Sequence, residues 1–350
     1  MLPYLLLLVP GLLSLTTKGS RAADRLFVSL LIAGVVLFAG VRWYVGADFQ
    51  SYVQIIDHLN GGQFVAVETG FKAIVSLVNS LSLGTSTVFL IMSAITVGGY
   101  AFFFRHNTKN FALAIFLYIF VPIYFLSSLN MVRQAAAMGL FLVAITHQDH
   151  RRPILALVFV LLAVSLHKTA LLFVPLIYLR SVPLKLWHYI TLLVIFLSIS
   201  PLLPSLITNF GFSPVYTTYA YSTDNAQRSS LLSFVPVVFF FLYLAYKKLG
   251  AFRGGGLSQS TETMVFLYCL LTLATLVVPI RADVILRLAY FGLPFLIIAV
   301  DEGLVAMHLR LRRSLMAGIV GGAVLYFVVT IMLNGERYNL VPYQTIFTSD

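Results

Sequence analysis

TSTVFLIMSAITVGGYAFFF, residues 85–104, runs twenty residues without a charge and is followed at once by Arg105, His106 and Lys109. About 20 apolar residues in a helix match the thickness of bilayer hydrocarbon. The run does not alternate polar and apolar residues, so it reads as a membrane-crossing helix and not as a barrel strand. Outward from it lie similar runs at Leu26–Val41, Phe111–Ser128, Tyr189–Ile207, Leu231–Tyr246 and Leu315–Leu333. The composition agrees: 60% of the residues are hydrophobic and 10% charged, where a soluble domain is nearer a quarter charged. Mean hydropathy is +0.95. The single cysteine, Cys269, lies in an apolar run, which excludes an intrachain disulfide and a thiolate metal site.

The expected fold is an all-α polytopic integral membrane protein with about 12 transmembrane or partly inserted helices. It forms a single transmembrane domain over residues 1–350, with no repeat of one half in the other. The first 17 residues are apolar and are followed, not preceded, by Lys18, Arg21 and Arg25. That pattern predicts a retained helix with its N-terminus outside and not a cleaved signal. Continuing the alternation puts both termini outside. One face then collects Lys18, Arg21, Arg25, Arg105, Lys109, Arg151, Arg152, Arg180, Lys185, Lys247, Lys248, Arg253, Arg310, Arg312 and Arg313, fifteen of the 23 Lys and Arg. With five acids on that side its net charge is +10, and the other side holds the remaining +1 of the chain's +11. The basic face is assigned to the cytoplasm by the positive-inside rule. Facing anionic headgroups, it accounts for the pI of 9.8 without nucleic acid. Residues 153–166 and 169–179 are each short for a span and are expected as a hairpin of partly inserted helices with His167 and Lys168 at its tip. Residues 70–83 read as an interfacial or re-entrant helix, and 247–261, with Gly254–Gly256, as an inner linker. The outer stretches 42–84 and 208–229 are expected to cover the site.

Arg133, Lys168, Arg281 and Arg287 fall on the wrong face for topology, within or at the lip of apolar sequence. A cation there needs a counter-charge, water or an anionic ligand. Asn130, Arg133 and Gln134 are spaced i, i+3, i+4 and share one helical face. Arg281, Asp283 and Arg287 lead into a segment continuing through Tyr290, and Asp283 is placed to pair with Arg287. His167 adjoins Lys168. Arg42, Asp48, Tyr52 and Asp57 lie beside Trp43 and Tyr44, with Gly46 allowing a tight turn. Each cluster also has a bland reading: helix–helix glue, an interface salt bridge, a helix-end histidine, a solvated loop.

No paired carboxylates suited to a nucleotide-bound metal and no glycine-rich phosphate loop occur. His147, Asp149 and His150 sit beside Arg151 and Arg152, which disfavours a cation there. The expectation is therefore no metal and no cofactor. Several outer cations, mostly arginines whose planar forks suit phosphate oxygens, point to a membrane-embedded polyanion such as a lipid-linked pyrophosphate. Among outer acids and histidines, Asp48 is the first candidate base, because it adjoins a turn glycine and a belt of aromatics able to stack on sugar. Nearby cations would keep it ionised but weaken it as a base, which makes His167 the rival.

Six segments in order resemble the EpsG/Wzy-type bacterial polysaccharide polymerases: RWYVGADFQSY (Arg42–Tyr52), ETGFKAIVSL (Glu68–Leu77), NMVRQ (Asn130–Gln134), HKTA (His167–Ala170), RLAYF (Arg287–Phe291) and YNLVPYQTIF (Tyr338–Phe347). The resemblance implies a GT-C-like, metal-independent glycosyltransferase of the bacterial inner membrane. It would polymerise polyprenyl-pyrophosphate-linked oligosaccharide repeats at the periplasmic face, with a chain-length regulator as a further partner. Under it, Arg133 and Arg287 would hold the pyrophosphate, assisted by Arg281, Arg42 or Lys168. Asn130, Gln134 and Tyr290 would contact phosphate or sugar. A glycan ligase using the same donor, a lipid-linked sugar exporter and an acyltransferase are the competing readings.

Overall fold

The computed structural model describes residues 2–16, 21–199, 234–248, 256–276 and 282–347. The described chain is helical apart from short connections and one two-residue ladder. Two compact units emerge, residues 1–177 with 308–350, and residues 178–307.

In the first unit, α1 (Leu2–Leu6), α2 (Leu8–Thr16) and α3 (Arg21–Gly40) lead to the strand β1 (Arg42–Trp43). Then come α4 (Phe49–Asn60), α5 (Thr69–Ser80), α6 (Thr85–Asn107), α7 (Phe111–Phe120), α8 (Phe125–Ser128), α9 (Val132–Asp149) and α10 (Pro153–Leu166). A 3-10 turn at Lys168–Phe173 and α11 (Leu176–Leu179) follow. Helix α6 is long and apolar enough to cross a membrane, as the opening segment of the sequence predicts.

Phe111–Ser128, expected as one span, is broken in two. Pro122 lacks an N–H and disfavours helix at the residue before it, and Val121 is extended there (φ −97°, ψ 108°). Asn110 caps α7, its side chain accepting the Leu113 N–H at 3.2 Å. Every residue from Leu113 to Phe120 is buried, as befits a helix apolar on all sides. It packs among α2, α3 and α6. Helices α6 and α9 run parallel. Asn107 donates to the Thr146 hydroxyl at 3.3 Å, and a Cβ on Gly139 would sit 2.9 Å from the Ile95 carbonyl oxygen. The segment between them must therefore run back along the pair, and α6 and α9 point in the same direction.

Residues 153–179 do not form one helix. Helix α10 opens with Pro153 at its first position and ends at His167, which is extended (φ −157°, ψ 115°). The following 3-10 turn buries Ala170 and Phe173 and packs against α9 and α10. Helix α5 buries Phe71, Val75 and Val78 on one face, the pattern of an interfacial helix.

In the second unit lie α12 (Leu186–Ile199), α13 (Val235–Lys248), α14 (Gln259–Ala274), α15 (Ala282–Ala289) and α16 (Pro294–Val305). Helix α14 is its centre, packing on the other four. Groups assigned by charge to one side meet there. Lys247 pairs with the buried Glu262, Arg180 donates to Ser260, and the Glu302 carboxylate accepts the Ser258 N–H at 3.0 Å. The outer stretch 208–229 lies outside the described residues.

The first unit closes with α17 (Leu309–Asn334), the second helix long and apolar enough to cross a membrane, and β2 (Gln344–Thr345). The tail docks instead of trailing. Arg42 faces Thr345 and Trp43 faces Gln344 in an antiparallel pair. Gly46 N–H donates to Asn339 O at 2.9 Å, and the Tyr4 hydroxyl donates to Leu340 O at 2.7 Å.

Candidate functional site

Five of the six segments singled out by resemblance converge in the first unit. Three of them, the segments opening at Glu68, Asn130 and His167, meet at Glu68, just before α5. Its carboxylate pairs with Arg133 through the guanidinium Nη1, and its other oxygen lies 3.2 Å from His167 Nδ1. The Lys168 backbone N–H points at the same oxygen from 3.5 Å. Glu68 is 8% exposed, against 20% for Arg133 and 14% for His167.

Local sequence explains the meeting. Gly70 lies against Ser165 near the end of α10, and a Cβ there would come within 2.8 Å of the Ser165 carbonyl oxygen. A glycine two residues after Glu68 thus lets α5 approach closely enough for the carboxylate to reach His167. On the other side, Gly46 adopts φ +102°, a conformation that favours glycine. It turns the chain into α4, whose Tyr52 offers its hydroxyl to the Arg133 backbone N–H at 3.4 Å. The guanidinium of Arg133 lies over the rings of Tyr52 and Phe71, 5.9 and 5.8 Å from their centroids. Its Nε is buried and has no hydrogen-bond partner among the described residues, nor has the buried Thr169 hydroxyl.

Electrostatics fix the charge state of the carboxylate. Burial alone would raise the Glu68 pKa. The hydrogen bond from His167 and the positive charge of Arg133 outweigh it and hold the carboxyl down at about 2. Glu68 is therefore an anion at neutral pH and a poor proton acceptor. It serves as a fixed counter-charge to Arg133 and an anchor for the His167 ring.

The other expected residues divide by what they touch. Arg42 is buried, donates to Leu129 O at 2.8 Å and lies over Phe89 at 5.1 Å. Burial lowers its pKa to about 10, so it remains charged. The Asn130 side-chain oxygen accepts the Ala47 N–H at 2.7 Å. Both tie the 42–48 turn to the chain before α9. Asp48 precedes α4, is half-buried and forms no ion pair among the described residues. Gln134 is buried, while the Lys168 side chain is exposed. Arg287 is exposed and Tyr290 half-buried, both in the second unit. Arg281 and the Asp283 side chain lie outside the described residues, and the expected Asp283–Arg287 pair with them.

Sequence reasoning passed over Glu68 by sorting it with the outer-loop acids. The signal that could have found it was its position. It opens an amphipathic helix within one of the six segments, with a glycine two residues on.

Fold and composition define the class: an all-α membrane protein built of apolar helices, with polar groups gathered at helix ends. The family model of the EpsG family matches residues 25–345, and the chain belongs to that family. Membership gives it a general function of polysaccharide-polymerase type. No curated protein and no solved structure matches the chain.

Proposed function

We propose that the protein elongates polyprenyl-pyrophosphate-linked glycans at the outer face of the bacterial inner membrane. The observation that carries this is the convergence of Glu68, Arg133 and His167, drawn from three of the family-like segments, on one buried ion-pair centre. A pyrophosphate leaving group develops negative charge as its bond to the anomeric carbon breaks. A preorganised guanidinium with a donor to spare is suited to hold it. Arg133 Nε is that donor.

The acceptor sugar hydroxyl must lose its proton as its oxygen bonds to the anomeric carbon. With the proton of the imidazole on Nδ1, facing Glu68, the basic lone pair of His167 lies on Nε2. Nε2 takes the hydroxyl proton, the new glycosidic bond forms, and the electron pair of the broken bond leaves with polyprenyl pyrophosphate. Glu68 orients the ring and stabilises its charged form, as a carboxylate does for histidine in hydrolytic triads. Asp48, one helical turn before Tyr52, is the alternative base. Arg287 and Arg281 are proposed as further pyrophosphate contacts, with Gln134 and Tyr290 as sugar or phosphate contacts. Arg42 and Asn130 hold the 42–48 turn, and Lys168 adds positive charge at the rim.

The test is the length distribution of lipid-linked glycan after the gene is deleted. Single repeats accumulating outside support polymerisation. Repeats trapped inside indicate an exporter, and long chains retained on the carrier indicate a ligase.

A further inference from the structure

A second cationic site lies in the first unit, at the end of α6 and α9 away from Glu68. Arg133 opens α9 and Thr146, beside Asn107, nearly closes it, a separation of about 20 Å along the helix. At that far end an open pocket of about 900 Å³ is bordered by Arg105 in the last turn of α6, Lys109 just beyond it, and Arg312 and Arg313 near the start of α17. No carboxylate lines it among the described residues. Helices α7 and α17 both begin at its wall, through Asn110–Ala112 and Leu309. No side chain caps the start of α17. Its first backbone N–H groups and the positive end of its dipole are thus available to an anion. Ile32 and Met316 supply apolar wall, and α17 runs on from the pocket with Leu315 and Leu325 exposed.

Basic residues at one end of a membrane bundle are accounted for by topology alone. Topology does not require them to border a common cavity together with two helix starts and an apolar wall. We propose that this pocket binds the phosphate headgroup of an anionic phospholipid, with the acyl chains lying along the exposed face of α17. The size falls within the range of small-molecule sites, and the cations and open N-terminus match a phosphodiester carrying net negative charge. The site is separate from Glu68 and does not depend on the polymerase reading.

The experiment uses the full chain purified in detergent, with native mass spectrometry and thermal unfolding as readouts. The probes are phosphatidylglycerol, phosphatidylcholine and inorganic phosphate. Wild-type protein is expected to retain phosphatidylglycerol in preference to phosphatidylcholine and to gain thermal stability from it. Millimolar inorganic phosphate should not displace the lipid. The triple variant Arg105→Gln, Arg312→Gln, Arg313→Gln should lose lipid retention by about tenfold or more. The matching Lys triple variant keeps charge and insertion, and should recover part of it. An Arg151→Gln, Arg152→Gln variant removes exposed charge elsewhere and should bind as wild type. Equal retention by the Gln triple and wild type, equal loss in the Arg151/Arg152 variant, or displacement by inorganic phosphate would each overturn the proposal. So would a Lys triple that folds and binds no better than the Gln triple.

Discussion

Replacing Glu68 by Gln keeps the size and most hydrogen-bonding capacity of the side chain and removes only its charge. The carboxyl sits at about 2 in the folded protein against an ordinary 4.5. At about 1.4 kcal/mol per tenfold change in proton affinity, that difference corresponds to about 3 kcal/mol favouring the folded, ionised site. A lost charge-assisted hydrogen bond gives an independent figure of about 1.5–3 kcal/mol. Because Arg133 is partly exposed and retains some solvation, an expected destabilisation of about 2 kcal/mol at pH 7 is reasonable. The folded-state carboxyl titrates below the unfolded one. The wild-type advantage over Glu68→Gln should therefore be complete above pH 4.5 and shrink as pH falls toward 2. The assay is unfolding of both proteins in detergent between pH 7 and pH 3.5, paired with elongation of lipid-linked repeats at neutral pH. Elongation should fall about 10²-fold through misorientation of His167, mostly in kcat. A Gln variant within about 0.5 kcal/mol of wild type at pH 7, with a pH-independent difference and near-normal elongation, would refute the counter-charge assignment.

Arg133→Ala should abolish polymer in cells while the protein still inserts. Arg133→Lys should retain only part of the activity, because a point charge cannot reproduce paired hydrogen bonds; normal polymer from the Ala variant would exclude Arg133 from the site. His167→Ala is expected to slow purified enzyme about 10²–10⁴-fold and Asp48→Asn by less, measured as initial elongation rate; the reverse order would return the base to Asp48. Gly70→Val forces α5 away from Ser165 and should cost both stability and activity, read as a lowered Tm and a loss of chain growth, whereas Ala at the exposed Gly62 position strains only a surface turn. For topology, cysteines at Ser20, His106 and Gln259 should resist an impermeant thiol reagent in intact cells, while those at Asn60, Thr223 and Thr348 react. Labelling at Gln259 from outside would reverse the assignment of residues 153–179.

Much of the fold was legible because apolar length and one-sided charge are read directly from composition. Residues 85–104 needed nothing further to be placed in a helix, and the break at His167 followed from segments too short to span. The break at Val121 was written in Pro122 and was masked by the apolar run around it. The site was legible in part. Arg133 stood out as a costly cation on the wrong face and His167 as a rival base at the tip of a hairpin, but their common partner did not. Glu68 follows a loop of ordinary outer sequence, and only the fold shows that Gly70 draws it against α10. Asn130 and Arg42 carried the same chemical signal as Arg133, yet contacts to Ala47 and Leu129 engage them in holding a turn. Sequence records residue type, and burial against a backbone carbonyl or a carboxylate decides which role that type plays.

The most direct measurement is elongation by the purified protein in nanodiscs supplied with a single lipid-linked repeat unit. The account predicts a ladder of longer lipid-linked glycans with stoichiometric release of polyprenyl pyrophosphate, lost on Arg133→Ala. Repeats that remain single in the presence of well-folded wild-type protein, or a ladder that forms undiminished with Arg133→Ala, would contradict it.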